Sequence, residues 1–157
     1  MSMKEQMETG KVFIEFGHAS EEDQAYEKLL DERRRRSKSL CFQYNQTDPM
    51  NEEQRGKLIR ELLGGAGKTP WLETPIHFVY GCNTTVGDHF YSNFNLTIVD
   101  DVSVTIGNCV MCAPNVTIST TGHPVHPITA REAHISPCRL SLRTTYGLAR
   151  MSPLCRA

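Results

Sequence analysis

His123 stands in a Thr-Gly-His-Pro turn, with His126 three positions further on. A neutral imidazole, with an unperturbed pKa of about 6.5, suits proton abstraction near neutral pH, and it serves equally as an exposed loop residue. Together with Asp100 or Asp101 the two histidines have the residue types of a metal site. No third histidine is suitably spaced in the surrounding segment, so no metal is expected and His126 is read as a bystander. Cys109-x-x-Cys112 has the spacing of a reactive or metal-binding pair, but no second cysteine pair accompanies it, which favours a structural role. Cys41, Cys82, Cys138 and Cys155 complete an even set that would suggest disulfides in a secreted chain. Asn45, Asn83, Asn95 and Asn115 each open an Asn-x-Thr triplet, the glycosylation signal of such a chain.

The N-terminal residues argue against that setting. Met1 to Gly10 are charged and lack the apolar stretch of a secretion signal, so reduced thiols and a cytoplasmic location are expected. The chain has 157 residues, 39% hydrophobic and 22% charged, which suits one domain with at most a small appended segment. No apolar run approaches the roughly 20 residues of a membrane span. With 17 basic and 18 acidic side chains the net charge is −1, which excludes the electrostatic footprint of a nucleic-acid binder. The run Arg33 to Arg36 therefore reads as a solvated helix face.

The first 65 or so residues have helical texture. Ser20 is a suitable N-cap, followed by Glu21, Glu22 and Asp23 at the positive end of the helix dipole, and the spacing of Tyr26, Leu29, Leu30, Leu40 and Phe42 predicts a helix to about Gln43. Asp48-Pro49 marks a turn. A second helix is predicted from about Asn51 to Leu63, with Leu58, Ile59, Leu62 and Leu63 on one face and Gly64-Gly65 ending it.

From Trp71 onward the spacing changes to six. Val86, Ser92, Ile98, Ile106, Cys112 and Ile118 form one column, and Phe90, Leu96, Val102, Val110 and Val116 form another four residues on, with a two-residue slip before Ile106. A period of six fits neither a helix nor a hairpin strand. It fits a triangular solenoid in which three hexapeptides close a coil of roughly 18 residues and both columns point inward. Cys112 then faces the core and Cys109 sits on a corner. The triplets at Asn95 and Asn115 fall on the fourth to sixth positions of a repeat, so the repeat accounts for them.

Ser92-Asn-Phe-Asn-Leu-Thr-Ile-Val-Asp-Asp, Val104-Thr-Ile-Gly-Asn, Ala113-Pro-Asn-Val-Thr-Ile and Thr121-Gly-His-Pro-Val-His-Pro together closely resemble the galactoside O-acetyltransferases, whose hexapeptide-repeat family includes maltose and nodulation O-acetyltransferases. The resemblance covers about residues 3 to 135. It implies a mainly β chain, an incomplete left-handed parallel β-helix preceded by a small α-helical N-terminal segment. It also implies a homotrimer that transfers acetyl from acetyl-CoA to a hydroxyl of a galactoside- or maltose-like sugar. His123 matches the family's catalytic histidine. Asn93 and Asp101 match its acceptor-sugar contacts, an amide and a carboxylate able to bridge hydroxyls. Glu15 stands where the family carries a sugar-binding Asp. No cofactor-binding residue is assigned.

The expected organisation is a helical segment over residues 1–68, a β-helix with its acceptor loop over 69–135, and a tail over 136–157. The tail has four arginines, no acids and no six-residue period, and it lacks the family's Val-Trp-Ile-Gly coil. Permitted codons for the tail, read two nucleotides later, encode a hexapeptide continuation that includes this motif. A truncated, frameshift-like and irregular tail is therefore expected, with Leu140, Leu142, Tyr146 and Leu148 available to cover the last coil. The alternative to an active enzyme is an inactive fragment that binds sugar or joins trimers.

Overall fold

The computed structural model describes residues 1–123, 134–137, 139–142 and 148–149. The chain opens with α1 (Met3–Thr9), closed at its start by a reciprocal Ser2–Glu5 capping box and at its end by left-handed Gly10. A short strand, β1 (Phe13–Ile14), follows. Neither element is foreseen by hydrophobic spacing, because both are too short to show a period. β1 exists through a distant partner: Phe13 pairs antiparallel with Ile135.

Helix α2 (Glu21–Gln46) starts at the expected N-cap, where the Ser20 side chain accepts the Asp23 amide, and it runs three residues past the predicted end. Helix α3 (Glu52–Leu62) is capped by Asn51. Leu40, Cys41 and Tyr44 of α2 and Leu58, Ile59 and Leu62 of α3 are buried in one cluster with the solenoid core. Phe42, counted among the apolar positions of the helix, is instead exposed.

The solenoid strands follow in order: β2 (Gly65–Ala66), β3 (Trp71–Leu72), β4 (Ile76–Phe78), β5 (Thr84–Val86), β6 (Tyr91–Ser92), β7 (Leu96–Val99), β8 (Val104–Ile106), β9 (Met111–Cys112) and β10 (Thr117–Ser119). They stack in parallel into three faces, β4-β7-β10, β2-β5-β8 and β3-β6-β9. Ile76 pairs with Leu96, Thr84 with Val104 and Tyr91 with Met111, so each coil rises after 20 residues. That is the predicted coil of about 18 residues plus the two-residue slip.

Both six-residue columns are buried throughout, as their spacing requires. Val102 is the exception in location: at the slip corner it joins a second cluster with Met3, Met7, Phe13, Leu30, Tyr80 and Ile135, beneath α1 and α2. The fourth position of the repeat turns the corner in the left-handed region, at His89, Asn95, Cys109 and Asn115. Asn tolerates that region because its short side chain bonds locally, and here the Asn95 amide donates to Asn115 one coil above at 2.9 Å. Gly87 occupies the second position because a Cβ there would lie 2.3 Å from the Asn108 side chain of the next coil.

A solenoid end exposes a strand edge, and α2 covers this one with polar side chains. The Asn45 amide group donates to the Ile76 carbonyl at 3.0 Å and accepts its N–H at 2.9 Å, while the Ser37 hydroxyl donates to the Phe78 carbonyl at 3.0 Å. Asn45 is thus a cap of the sheet rather than an open glycan acceptor.

After β10 the chain forms β11 (Thr121–Gly122), which pairs with β12 (His134–Pro137), the partner of β1. β11 leaves from the same corner that carries the slip in the coil below. Where an irregular tail is expected, β13 (Leu140–Leu142) lies parallel on β8 and β14 (Leu148–Ala149) lies parallel on β9. The physical reason is the open ladder of β8 and β9, whose unpaired backbone groups accept a further strand laid parallel to them. Leu140 and Leu142 are half-buried against the core while Ser141 points out. Tyr146 lies outside the described residues, as do His126, Cys138 and Cys155. Among the described residues no helix is long and apolar enough to cross a membrane.

Candidate active site

Coil stacking brings distant residues to the slip corner. Asp101 leaves β7, and Thr121 sits one coil above it, its hydroxyl donating to Asp101 Oδ2 at 2.7 Å. His123 follows two residues later at the end of β11 and is exposed. Glu15 follows β1, which β12 holds alongside. Glu15, Asp101 and His123 thereby line one cavity of about 380 Å³, whose apolar wall is Phe78, Val79, Val99 and Ile135. Two acids, an imidazole and an apolar face form a surface suited to a polyhydroxylated ring, whose edges seek hydrogen bonds and whose faces are apolar.

Asn93 is not part of this cavity. It ends β6 on another corner, where its own Oδ1 accepts the Phe94 amide at 2.8 Å.

Arg34 and Lys38, which motif spacing does not single out, also line the cavity. Arg34 donates to Glu15 Oε1 at 2.5 Å and to the Tyr80 hydroxyl at 2.8 Å through one nitrogen, and it stacks over the Tyr80 ring. The run Arg33 to Arg36 is therefore split by the helix period. Arg35 pairs outward with Asp31, whereas Arg34 lies one turn from buried Leu30 and faces inward. That i, i+4 relation was the available signal.

Burial pushes the Tyr80 hydroxyl up to about 12, against the opposing pull of Arg34, so it stays a neutral partner across the working range. Burial also raises Asp100, the residue before Asp101, to about 6. Its carboxylate accepts the Tyr80 amide at 2.8 Å and the Thr84 hydroxyl at 2.9 Å. Cys112 is buried on the inward column and pushed up to about 11, which leaves it protonated and inert. Among the described residues no group of three His, Cys, Asp or Glu side chains could hold a metal.

Three parallel faces that rise one coil every 20 residues define a hexapeptide-repeat β-helix. Residues 23–67, from α2 into β2, match the maltose acetyltransferase hexapeptide capping motif. The Escherichia coli galactoside O-acetyltransferase is 44% identical over 126 residues, 80% of this chain and 57% of that protein. A maltose O-acetyltransferase from Clostridium difficile superposes with a TM-score of 0.76 at 31% identity, over 88% of this chain and 69% of that one. A galactoside acetyltransferase solved in complex with coenzyme A superposes with a TM-score of 0.75 at 38% identity, over 88% of this chain and 64% of that one. The chain belongs to the hexapeptide-repeat sugar O-acetyltransferase family, with its left-handed parallel β-helix and N-terminal helical cap. It spans about half the length of the curated relatives it matches.

Proposed function

We propose that the protein is an acetyl-CoA-dependent O-acetyltransferase acting on a galactoside- or maltose-like sugar in the cytoplasm. The observation that carries this reading is the meeting of Glu15, Asp101 and His123 in one cavity of a chain with this family's fold. The relative solved with coenzyme A supports acetyl-CoA as the donor.

Glu15 and Asp101 accept hydrogen bonds from acceptor hydroxyls and set the ring over the apolar wall. His123 removes the proton of the attacking hydroxyl as its oxygen bonds to the acetyl carbonyl carbon. The C–S bond then breaks, and the same proton passes from the imidazolium to the departing CoA sulfur, leaving free thiol and sugar ester. Cys112 is buried and cannot carry the acetyl group, which favours direct transfer.

A homotrimer belongs to this reading. Asn93 lies on a corner away from the cavity, so a second copy is the source from which its amide would reach an acceptor.

Purified chain supplied with acetyl-CoA and a galactoside or maltose should release CoA thiol only when the sugar is present. His123→Ala should lower the rate by about 10²–10⁴-fold with an unchanged melting curve, because the residue is exposed. Thiol release without sugar counts against direct transfer. No sugar-dependent release at any oligomeric state rejects the enzyme reading.

A further inference from the structure

Glu15 reaches the His123 cavity from a stretch of chain with little packing of its own. Phe16, Gly17, Ala19 and Ser20 are all exposed, and Gly17 turns through the left-handed region at φ 88° with nothing within 4 Å of a Cβ placed there. Between residues 15 and 20 only Glu15 and His18 are drawn in from solvent, and both are bound to α2. His18 is held at three points. Its backbone N–H donates to Glu27 Oε1 at 3.1 Å, its ring Nδ1 lies 2.5 Å from the same oxygen, and its carbonyl accepts the Gln24 side-chain amide at 2.9 Å.

Arg34, the partner of Glu15, stands seven residues beyond Glu27, two turns along the same face of α2. The segment is therefore pinned to one helix at both ends, with the swivel of Gly17 between. Arg34 does not fix Glu15 by itself, because the nitrogen it offers is shared with the Tyr80 hydroxyl and the ion pair keeps some solvent. Glu27 is the firmer anchor: one carboxylate answers a ring donor and a main-chain donor, and these bonds hold it below the usual carboxylate range. The main-chain bond fixes the path of the backbone, which a side-chain contact at Glu15 alone would leave free to swing.

We propose that His18 and Glu27 are positioning residues for acceptor binding, a clasp that holds the segment 15–18 so that the Glu15 carboxylate stands at the cavity wall before the sugar arrives. This rests on the reading of Glu15 as an acceptor contact. Neither residue lines the cavity. Their contribution is pre-organisation: the ordering of the segment is complete before binding and is not charged against sugar affinity.

The test combines kinetics with amide hydrogen exchange on the full chain. Glu27→Ala removes both bonds to His18 while alanine keeps α2 helical. It should raise the KM for sugar about tenfold and leave kcat and the KM for acetyl-CoA unchanged. His18→Ala should show a smaller rise, since the main-chain bond survives, and His18→Asn should reverse it, because its side-chain amide can donate to Glu27 in place of the ring. In a Glu15→Ala background, Glu27→Ala should bring no further rise, as the clasp then has nothing to place. A full additional rise there would overturn the proposal. Without substrate, Glu27→Ala should speed exchange at the His18 amide and its neighbours and leave α3 and the coils unchanged. Exchange as slow as in the wild type overturns the clasp whatever the kinetics. Clasp-dependent exchange in a wild type that releases no thiol with any sugar rejects the transfer reading, and the acceptor role of the clasp with it, so the two failures are told apart.

Discussion

Asp100 and Asp101 are adjacent in the chain and face opposite ways. Asp100 turns into the protein to accept the Tyr80 amide at 2.8 Å, while Asp101 turns outward to accept the Thr121 hydroxyl at 2.7 Å. The inner carboxylate ties the slip corner to the coil below, and the outer one presents the cavity wall above it. A single corner thus turns one acid into the core and the other to the cavity.

Asp100 should make the stability depend on pH. Burial raises Asp100 from 3.8 to about 6 in the folded state, so between those values the native chain holds a proton that the unfolded chain has lost. Its contribution to stability is therefore greatest below about pH 4 and falls as pH rises towards 6. Two pKa units correspond to on the order of 2–3 kcal/mol. Asp100→Asn keeps an acceptor for the Tyr80 amide and removes the charge. Denaturation midpoints measured from pH 4 to 7 should show the variant gaining on wild type across this window. Parallel wild-type and variant curves would remove Asp100 from the pH dependence.

Arg34 holds two partners at once, Glu15 and Tyr80, through one nitrogen, while its planar guanidinium lies over the Tyr80 ring. If Glu15 contacts the acceptor, Arg34→Gln should raise the KM for sugar by about tenfold and leave that for acetyl-CoA unchanged. Stability should fall by about 1–3 kcal/mol; the low end applies because Glu15 keeps some solvent. Steady-state kinetics with each substrate varied in turn distinguishes this from a loss of fold, which would lower kcat for both.

Cys109 turns a corner at φ 56°, in the left-handed region that disfavours side chains other than Asn or Gly. Asn95 and Asn115 fill the equivalent corner of another face with the favoured residue. Cys109→Asn should therefore raise stability by about 0.5–1 kcal/mol, read as a shift in denaturant midpoint with unchanged slope. An equal effect from the same change at exposed Thr105, in a regular strand, would mean that the gain does not come from the corner.

These corners show what the sequence exposes and what it conceals. The inward columns are legible because each hexapeptide must bury the same two positions, and Phe90, Val110 and Ile118 do so wherever they fall along the chain. The Asp101–His123 meeting follows from coil stacking and was legible through the family motif. β1 was not, since its two residues are ordered only by Ile135, more than a hundred positions away. Arg34 was hidden by its neighbours: four consecutive arginines read as one solvated patch, although the helix turns only some of them outward. Arg55 left no trace in the apolar period of α3, because a buried cation takes the place of an apolar residue on its inner face.

The tail strand β13 gives the last prediction. Leu142 accepts the Gly107 amide at 2.8 Å and lies half-buried over Ile106, while Ser141 between the two leucines is exposed. The alternation matches that of β8 below it, so the leucines cover apolar surface that the last family coil would otherwise leave open. Leu142→Asp places a charge on that surface and should cost about 1–3 kcal/mol, with faster hydrogen exchange at the Gly107 amide. Ser141→Asp, one residue away on the solvent side, should change stability by no more than about 0.5 kcal/mol. Equal responses at the two positions would mean that the tail does not cover the coil and that β8 is the true end of its sheet.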